Sequence, residues 1–211
     1  MRSFVCASLM AGAALIALSA SVEFAWAVPR GDRLAGNRAL TVLYDQTGDD
    51  SGFATISYAS GNAFVSQAAD DFSVPDGGIW TVKEVDADGM YFNGYGPAET
   101  VYVVFYEDRH GKPGKAVASL AVTPSADHLG SFVLPLGNGV TLGGGHYWLS
   151  VAADLGFGGG LWAWENQSRG TKEGDRAMYR DPNQCPRWRT EKKCLQSKLG
   201  DHLFVLKGMA Q

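Results

Sequence analysis

The chain has 211 residues, of which 45% are hydrophobic, 11% aromatic and 19% charged, and its formal net charge is −4. This length is typical of one domain, and the apolar fraction is sufficient for a packed core, which excludes a disordered chain. A nucleic-acid-binding protein would need clustered Lys and Arg to displace counterions, so the mildly acidic balance predicts that nucleic acid is not a partner.

The first 27 residues have the pattern of a secretory signal peptide. Arg2 is followed by an apolar run from Val5 to Ala20, and Ala25-Trp26-Ala27 is the small-x-small pattern that signal peptidase cleaves. A membrane-spanning helix needs about 20 apolar residues, and this run is shorter. We therefore predict a secreted or periplasmic protein with no transmembrane segment after cleavage. Residues 28–39 are predicted to be a flexible N-terminal segment.

The cysteine count predicts one disulfide. Cys6 lies in the predicted signal peptide, which leaves Cys185 and Cys194 as a pair. An even number of cysteines in an exported protein indicates a disulfide. Closing a loop of about ten residues would stabilise the fold by roughly 2–3 kcal/mol in the chain-entropy model.

Residues 40–211 contain many short runs rich in Val, Tyr, Phe and Trp, separated by Gly, Asp, Asn and Pro. This pattern predicts an all-β fold, namely one antiparallel β-sandwich domain of jelly-roll-like form. Only 190–199 could form a helical turn or two, and the charged segment 170–200, which holds the disulfide, is predicted to be a loop over one end of the sandwich. The predicted strands are 40–44, 53–58, 68–74, 79–86, 90–92, 100–107, 117–123, 131–136, 146–153, 161–165, 177–179 and 203–207.

The strand predicted at Thr100–Glu107 is apolar on both faces. Val101, Val103 and Phe105 share one face, and Val104 and Tyr106 lie on the other. Such a strand is typical of the centre of a sheet that is covered on both sides.

A resemblance to a known family rests on a series of segments in a fixed order across about 70–207. These segments are Ala69-Asp70-Asp71-Phe72, Val74-Pro75, Trp80-Thr81-Val82, Tyr91-Phe92-Asn93-Gly94, Gly96-Pro97-Ala98, Val101 to Tyr106, Pro113-Gly114, Phe132 to Leu136, Gly145 to Val151, Trp162-Ala163-Trp164 and Phe204-Val205-Leu206. In this order the chain resembles exported bacterial β-sandwich modules of secreted and surface-anchored proteins. The resemblance implies a jelly-roll-like fold and export, and it transfers no catalytic residue.

The tryptophans are the strongest binding signal. Trp162 and Trp164 are two residues apart and share one face of a strand, and Trp148 could lie beside them if their strands pair. A row of exposed Trp rings stacks sugar rings in carbohydrate-binding modules. Two interpretations are open for these residues, because the rings could equally pack in the core. Trp188 lies inside the disulfide loop, either as an exposed contact or docked on the sandwich.

Acidic residues near the start of the fold are candidate ligands for a structural Ca²⁺, which binds carboxylate and carbonyl oxygens in sandwich loops. The candidate ligands are Asp45, Asp49, Asp50, Asp70 and Asp71. No catalytic motif is present, and the four histidines are predicted to be structural or at the surface.

These observations favour an exported, non-catalytic binding or surface module, with an extracellular glycan or a cell-surface component as its partner. The alternatives are a hydrolase of envelope or extracellular polysaccharide, with a carboxylate pair formed only by folding, and a structural component of the envelope or matrix. The sequence requires no cofactor and leaves the oligomeric state open.

Overall fold

The computed structural model of the protein describes residues 39–61, 63–168 and 174–211. The predicted signal peptide and nearly all of the predicted N-terminal segment lie outside these residues. The span Ala39–Gln211 forms one compact unit.

The described residues are mostly β-strand with a single four-residue helix, as the alternation of apolar and polar side chains predicts. The elements are β1 (Thr41–Asp45), β2 (Asp50–Ile56), β3 (Tyr58–Ser60), β4 (Ala63–Ala87), β5 (Gly89–Phe92), β6 (Thr100–Asp108), β7 (Pro113–Val122), β8 (Ala126–His128), β9 (Ser131–Asp154), β10 (Leu161–Gln167), β11 (Met178–Asp181), β12 (Cys185–Thr190), α1 (Glu191–Cys194) and β13 (Phe204–Ala210).

The described strands form a large sheet and a small one, and among them the pairing is antiparallel apart from a parallel pair between β3 and β9. The large sheet has the order β1-β13-β4-β3-β9-β6-β7, with β4 also paired to β9 and with β8, β11 and β12 attached at its side. The small sheet has the order β2-β10-β5. The two longest strands, β4 and β9, lie inside the large sheet and pair along most of their length.

The main core lies between the large sheet and β10 of the small sheet. Trp162 and Trp164 of β10 pack with Phe105 of β6, Leu149 of β9 and Phe204 of β13. Each of these side chains is fully buried, and burying one large apolar side chain is worth about 1.5–3 kcal/mol. This core is the principal link between the two sheets.

The opposite face of the large sheet carries a second, smaller core. Val104 and Tyr106 of β6 pack there with Trp148 of β9 and Met178 of β11, and Trp188 packs against them from β12. The prediction that β6 is covered on both faces is thus confirmed. The cover is the β11–β12 hairpin, so the prediction of a loop over 170–200 is wrong for this part of the segment.

The predicted disulfide is confirmed. Cys185 at the start of β12 and Cys194 at the end of α1 are joined with an S–S distance of 2.00 Å. The helical turn predicted within 190–199 is α1, which is only four residues long. No described helix has the length and apolar character needed to cross a membrane.

Two strands are longer than the sequence pattern predicts. Pro75 and the following glycines predict a break between two strands, but β4 continues through them from Ala63 to Ala87. The pairing of β4 with β9 shifts in register between Val74 and Ile79, opposite Gly143 to Gly145. The turn residues therefore form an irregular, unpaired stretch within one long strand pair instead of ending it.

Gly89 tests how tightly the main core is packed. A Cβ atom at Gly89 would lie 2.4 Å from Nε1 of Trp162, whose ring is fully buried. We expect Gly89→Ala to lower the free energy of unfolding by about 1–3 kcal/mol, because the ring has no space into which it can move. Urea unfolding followed by tryptophan fluorescence measures this.

Gly143→Ala is the matched control, since a Cβ there would meet no atom within 4 Å. We expect its free energy of unfolding to stay within about 0.5 kcal/mol of the unchanged protein. Equal effects of the two substitutions would contradict the packing described for Trp162.

Candidate functional site

Trp162 and Trp164 share one face of β10, as predicted, but that face points into the main core. Both side chains are 0% exposed. The indole N–H of Trp162 donates to the carbonyl of Gly130 at 2.7 Å, and that of Trp164 donates to the carbonyl of Leu203 at 2.9 Å. The Trp164 ring also stacks on His202, with 4.5 Å between centroids. The expectation of an exposed stacking row is therefore wrong, and the core interpretation is confirmed.

Trp148 lies on the outer face of β9 and is also 0% exposed, because β11 covers it. Its indole N–H donates to Oδ1 of Asp108 at 2.9 Å. Trp148 therefore does not lie beside Trp162 and Trp164, and its ring is not available to a ligand at the surface.

Trp188 is half-buried. One part of its ring is docked on the sandwich and the other part is exposed, so both interpretations given for it hold in part. Its ring packs edge-on against Tyr106 at 5.8 Å, so the disulfide loop docks on the large sheet. The guanidinium group of Arg180 lies 4.4 Å from the centroid of the ring, which is cation–π geometry. The remainder of Trp188 lines an open cleft.

This cleft, which we call the basic cleft, has a volume of about 490 Å³ and runs between the β6–β7 turn and the disulfide loop. Its floor includes Met178 and Trp188. Its remaining wall is mostly cationic and consists of Arg109, His110, Lys112, Pro113, Arg187, Arg189, Thr190 and Lys193.

The five Lys and Arg side chains of the basic cleft are exposed. Within the described ranges, no carboxylate lies within 4.0 Å of any of them. Arginine can donate two parallel hydrogen bonds to a carboxylate, sulfate or phosphate group. The cleft thus combines an aromatic wall with unneutralised positive charge, a combination suited to an anionic ligand that has a flat or apolar portion.

The sequence pointed to Trp188 but not to the cations around it. Arg109 and Lys112 lie on a turn about 75 residues before Arg187 and Arg189. Nothing in either segment alone shows that folding brings them together. The charge run from 187 to 193 was the available signal.

The acidic side chains predicted to bind calcium are divided among three environments. Asp45, Asp49 and Asp50 are exposed, while Asp70 and Asp71 are buried. Within the part of the chain that the structure describes, none of the first four belongs to a group of three ligand atoms close enough to share one ion, whereas Asp71 does. The structure therefore does not assemble the five predicted calcium ligands, and a bound Ca²⁺ stays a prediction.

Asp70 has a structural environment. Its Oδ2 atom accepts hydrogen bonds from Nε2 of Gln46 at 2.9 Å and from the backbone N–H of His202. Complete burial, followed by repulsion from Asp201, raises the pKa of Asp70 well above its usual value. The side chain ties β4 to the segments before β2 and β13.

Asp71 faces the opposite side of the sheet and is in contact with a histidine that the sequence analysis did not select. Nε2 of His146 lies 2.5 Å from Oδ2 of Asp71, and the backbone N–H of Asp175 donates to Oδ1 at 2.8 Å. Burial raises the pKa of Asp71, and the hydrogen bond with His146 opposes that shift. Asp71, His146 and Asp175 place one ligand atom each within 4.8 Å of one another.

A second cavity, of about 250 Å³, lies between α1 and the segment before β13. The buried residues Glu191 and Asp201 line it, with Arg176 and Lys198 at its rim. Oε1 of Glu191 is 3.0 Å from Nε2 of the fully buried His202. Neither acid was selected from the sequence, in which Glu191 lies within the segment 170–200 predicted to be a loop and Asp201 directly follows it.

Comparison with known proteins gives little further information. No family model and no curated protein matches the chain. A similar solved structure is the crystal structure of the cysteine protease and lectin-like domains of Cwp84, a surface layer associated protein of Clostridium difficile. The TM-score is 0.48 at 11% sequence identity, and the likeness covers 70% of this chain and 32% of that chain. The present chain thus spans about a third of that protein.

Asp88 allows a pH-dependent test of the repulsion among neighbouring carboxylates. Partial burial and then repulsion from Asp86, Asp50 and Asp45 raise its pKa above 3.8. The folded protein therefore binds this proton more tightly than the unfolded chain, and stability is lost as the pH rises through the raised pKa.

Asn at position 88 does not titrate, so replacing Asp88 with Asn removes this loss of folding stability at rising pH. We expect Asp88→Asn to match the unchanged protein below about pH 3.8 and to become the more stable of the two as the pH rises toward neutrality. Urea unfolding from pH 3 to pH 7 measures the difference. A difference that does not vary with pH would contradict the assigned repulsion.

Proposed function

We propose that the protein is an exported, non-catalytic binding module that holds an acidic carbohydrate in the basic cleft beside Trp188. The observation that carries this proposal is the grouping of five exposed Lys and Arg side chains around one half-exposed Trp ring in a single cleft. The ligand class replaces the neutral sugar stacking that an exposed Trp162–Trp164 pair would have supported.

Two features support an exported β-sandwich of jelly-roll type. The large and small sheets share one core, which is the arrangement of a two-layer β-fold. The Cys185–Cys194 disulfide is typical of proteins that fold in an oxidising compartment. Both agree with the signal peptide and jelly-roll-like fold that the sequence predicts.

The dimensions and chemistry of the basic cleft favour a sugar that carries carboxylate or sulfate groups. A volume of about 490 Å³ lies in the usual range of small-molecule sites. The exposed part of Trp188 offers a flat apolar surface, and Arg180 holds the ring in place by its cation–π contact. The cations at the rim, Arg187 and Arg189, can then pair with the anionic substituents of the sugar.

Nucleic acid is the competing polyanion, and the charge of the rest of the surface disfavours it. The whole chain has a net charge of −4. A separate acidic surface, formed by Asp45, Asp50, Asp86, Asp88 and Glu165, would repel a long phosphate backbone. A short acidic saccharide within the basic cleft avoids that surface.

Binding to a panel of sulfated, carboxylated and neutral oligosaccharides tests the proposal. We expect the sulfated or carboxylated members to bind and Arg187→Gln/Arg189→Gln to weaken binding about tenfold or more, because two charge-assisted contacts are lost. The affinity should also fall with rising salt, and the slope against the logarithm of salt concentration should be smaller by about 1–2 for the double variant. Isothermal titration calorimetry at several salt concentrations measures both.

The control is Lys83→Gln/Lys115→Gln, which removes the half-buried Lys83 and the exposed Lys115, neither of which lines the basic cleft. We expect this variant to bind like the unchanged protein. Equal weakening by both double variants would mean that net charge, and not the cleft, governs binding. Tighter binding of single-stranded DNA than of every saccharide would replace the proposed ligand class with nucleic acid.

A second candidate function is hydrolysis of an extracellular polysaccharide, and the 250 Å³ cavity is the observation that favours it. Glu191 and Asp201 supply the pair of carboxyl groups that glycoside hydrolysis needs, and both line this cavity. The expected result for a hydrolase is release of reducing sugar that is abolished in Glu191→Gln. Absence of turnover on the same saccharide panel, with binding intact, would leave the binding module as the function.

A further inference from the structure

Four side chains that are distant in sequence meet on the outer face of the large sheet. Asp71 lies in β4, Asp108 ends β6, His146 lies in β9, and Asp175 comes shortly before β11. The strand register explains this meeting. Asp71 pairs with Trp148, and His146 lies two residues from Trp148 on the same face, diagonally opposite Asp71.

The distances are those of a compact group. Nε2 of His146 lies 2.5 Å from Oδ2 of Asp71. Asp175 is held beside this pair, because its backbone N–H donates a hydrogen bond to Oδ1 of Asp71. An oxygen of its carboxylate lies within 4.8 Å of the other two ligand atoms. Asp71 is 1% exposed, whereas His146 and Asp175 are half-buried. The innermost residue of the group, Asp71, is therefore buried, while His146 and Asp175 leave one side of the group open to solvent.

The backbone is shaped around the Asp71 carboxylate. Gly174 has a φ of +84°, and a Cβ atom there would lie 2.2 Å from Oδ2 of Asp71. Only glycine allows the chain to pass this close to the carboxylate in this conformation. The close approach is what brings Asp175 within reach of Asp71 and His146.

The charges of the group are not balanced by basic side chains. Within the described residues no Lys or Arg lies within 4.0 Å of Asp71, Asp108 or Asp175, and His146 is the one basic side chain in contact with them. A buried carboxylate is stable only when it is paired or coordinates a cation. Two carboxylates and one neutral imidazole would balance the charge of a divalent ion.

A second feature, independent of the three ligand atoms, is the position of Asp108. Its Oδ1 atom lies 3.7 Å from Nδ1 of His146, on the side of the ring away from Asp71. The indole N–H of Trp148 and the backbone N–H groups of Gly111 and Lys112 hold this carboxylate. A carboxylate behind a metal-binding histidine is the usual outer partner of such a ligand.

We propose that Asp71, His146 and Asp175 bind a divalent transition-metal ion, with Zn²⁺ as the expected ion, and that Asp108 orients His146 from behind. The imidazole ligand and the small number of carboxylates favour Zn²⁺ over Ca²⁺, which takes six to eight oxygen ligands. Three protein ligands leave a fourth position open toward the exposed side. The site differs from the predicted calcium site in every ligand except Asp71, and it does not depend on the function of the basic cleft.

A competitive titration tests the site. Full-length protein without an affinity tag is freed of metal with EDTA and titrated with Zn²⁺ against a chromophoric chelator. We expect one equivalent to bind with a dissociation constant below about 10 µM. His146→Gln and Asp175→Asn should each weaken binding at least tenfold, and Asp108→Asn about tenfold to a hundredfold. With Co²⁺ in place of Zn²⁺, visible absorption bands of a low-coordinate ion should appear and be lost in His146→Gln.

His128→Gln is the control, since His128 is exposed on β8 and outside the group. We expect its Zn²⁺ affinity to equal that of the unchanged protein. If His146→Gln fails to fold, as judged by circular dichroism, Asp175→Asn still decides, because its backbone hydrogen bond to Asp71 is kept. The proposal is overturned if no stoichiometric Zn²⁺ binds, if His146→Gln and Asp175→Asn bind like the control, or if equimolar Ca²⁺ displaces Zn²⁺.

Discussion

The constraint on which the structure depends is that one inner strand of the large sheet, next to the edge strand β7, is apolar on both faces. β6 directs Val103 and Phe105 to one side and Val104 and Tyr106 to the other, so the large sheet must be covered twice. The small sheet supplies one cover through β10. The β11–β12 hairpin supplies the other, and the Cys185–Cys194 disulfide ties the start of β12 to the end of α1. The basic cleft and the group of Asp71, His146 and Asp175 both lie where this second cover meets the large sheet.

The second cover also separates the charges of the molecule. Its inner side chains, Met178 and Trp188, are needed for packing, so its cations can only point outward and along its edges. The carboxylates of the group around Asp88 lie elsewhere on the surface. A protein that is acidic as a whole can in this way present a strongly basic cleft, which net charge alone would hide.

The sequence predicts the local features well, because alternation within a strand is set by the backbone. The two-faced character of β6, the shared face of Trp162 and Trp164, and the disulfide all follow from spacing and cysteine count. Alternation does not say which face is inside, since that depends on strands far away in sequence. For this reason the exposure of Trp162 and Trp164 could not be predicted. The contact between Asp71 and His146, 75 residues apart, depends on the register of β4 and β9 and was equally hidden.

Asp108 lies between the proposed metal site and the turn that lines the basic cleft. Its carboxylate lies behind His146, and it also accepts the backbone N–H groups of Gly111 and Lys112, which shape the turn that carries Arg109 and Lys112 into the basic cleft. The Asp108 carboxylate is therefore shared between the surroundings of the two sites. A coupling transmitted through it would change the two affinities by the same factor, as thermodynamic reciprocity requires.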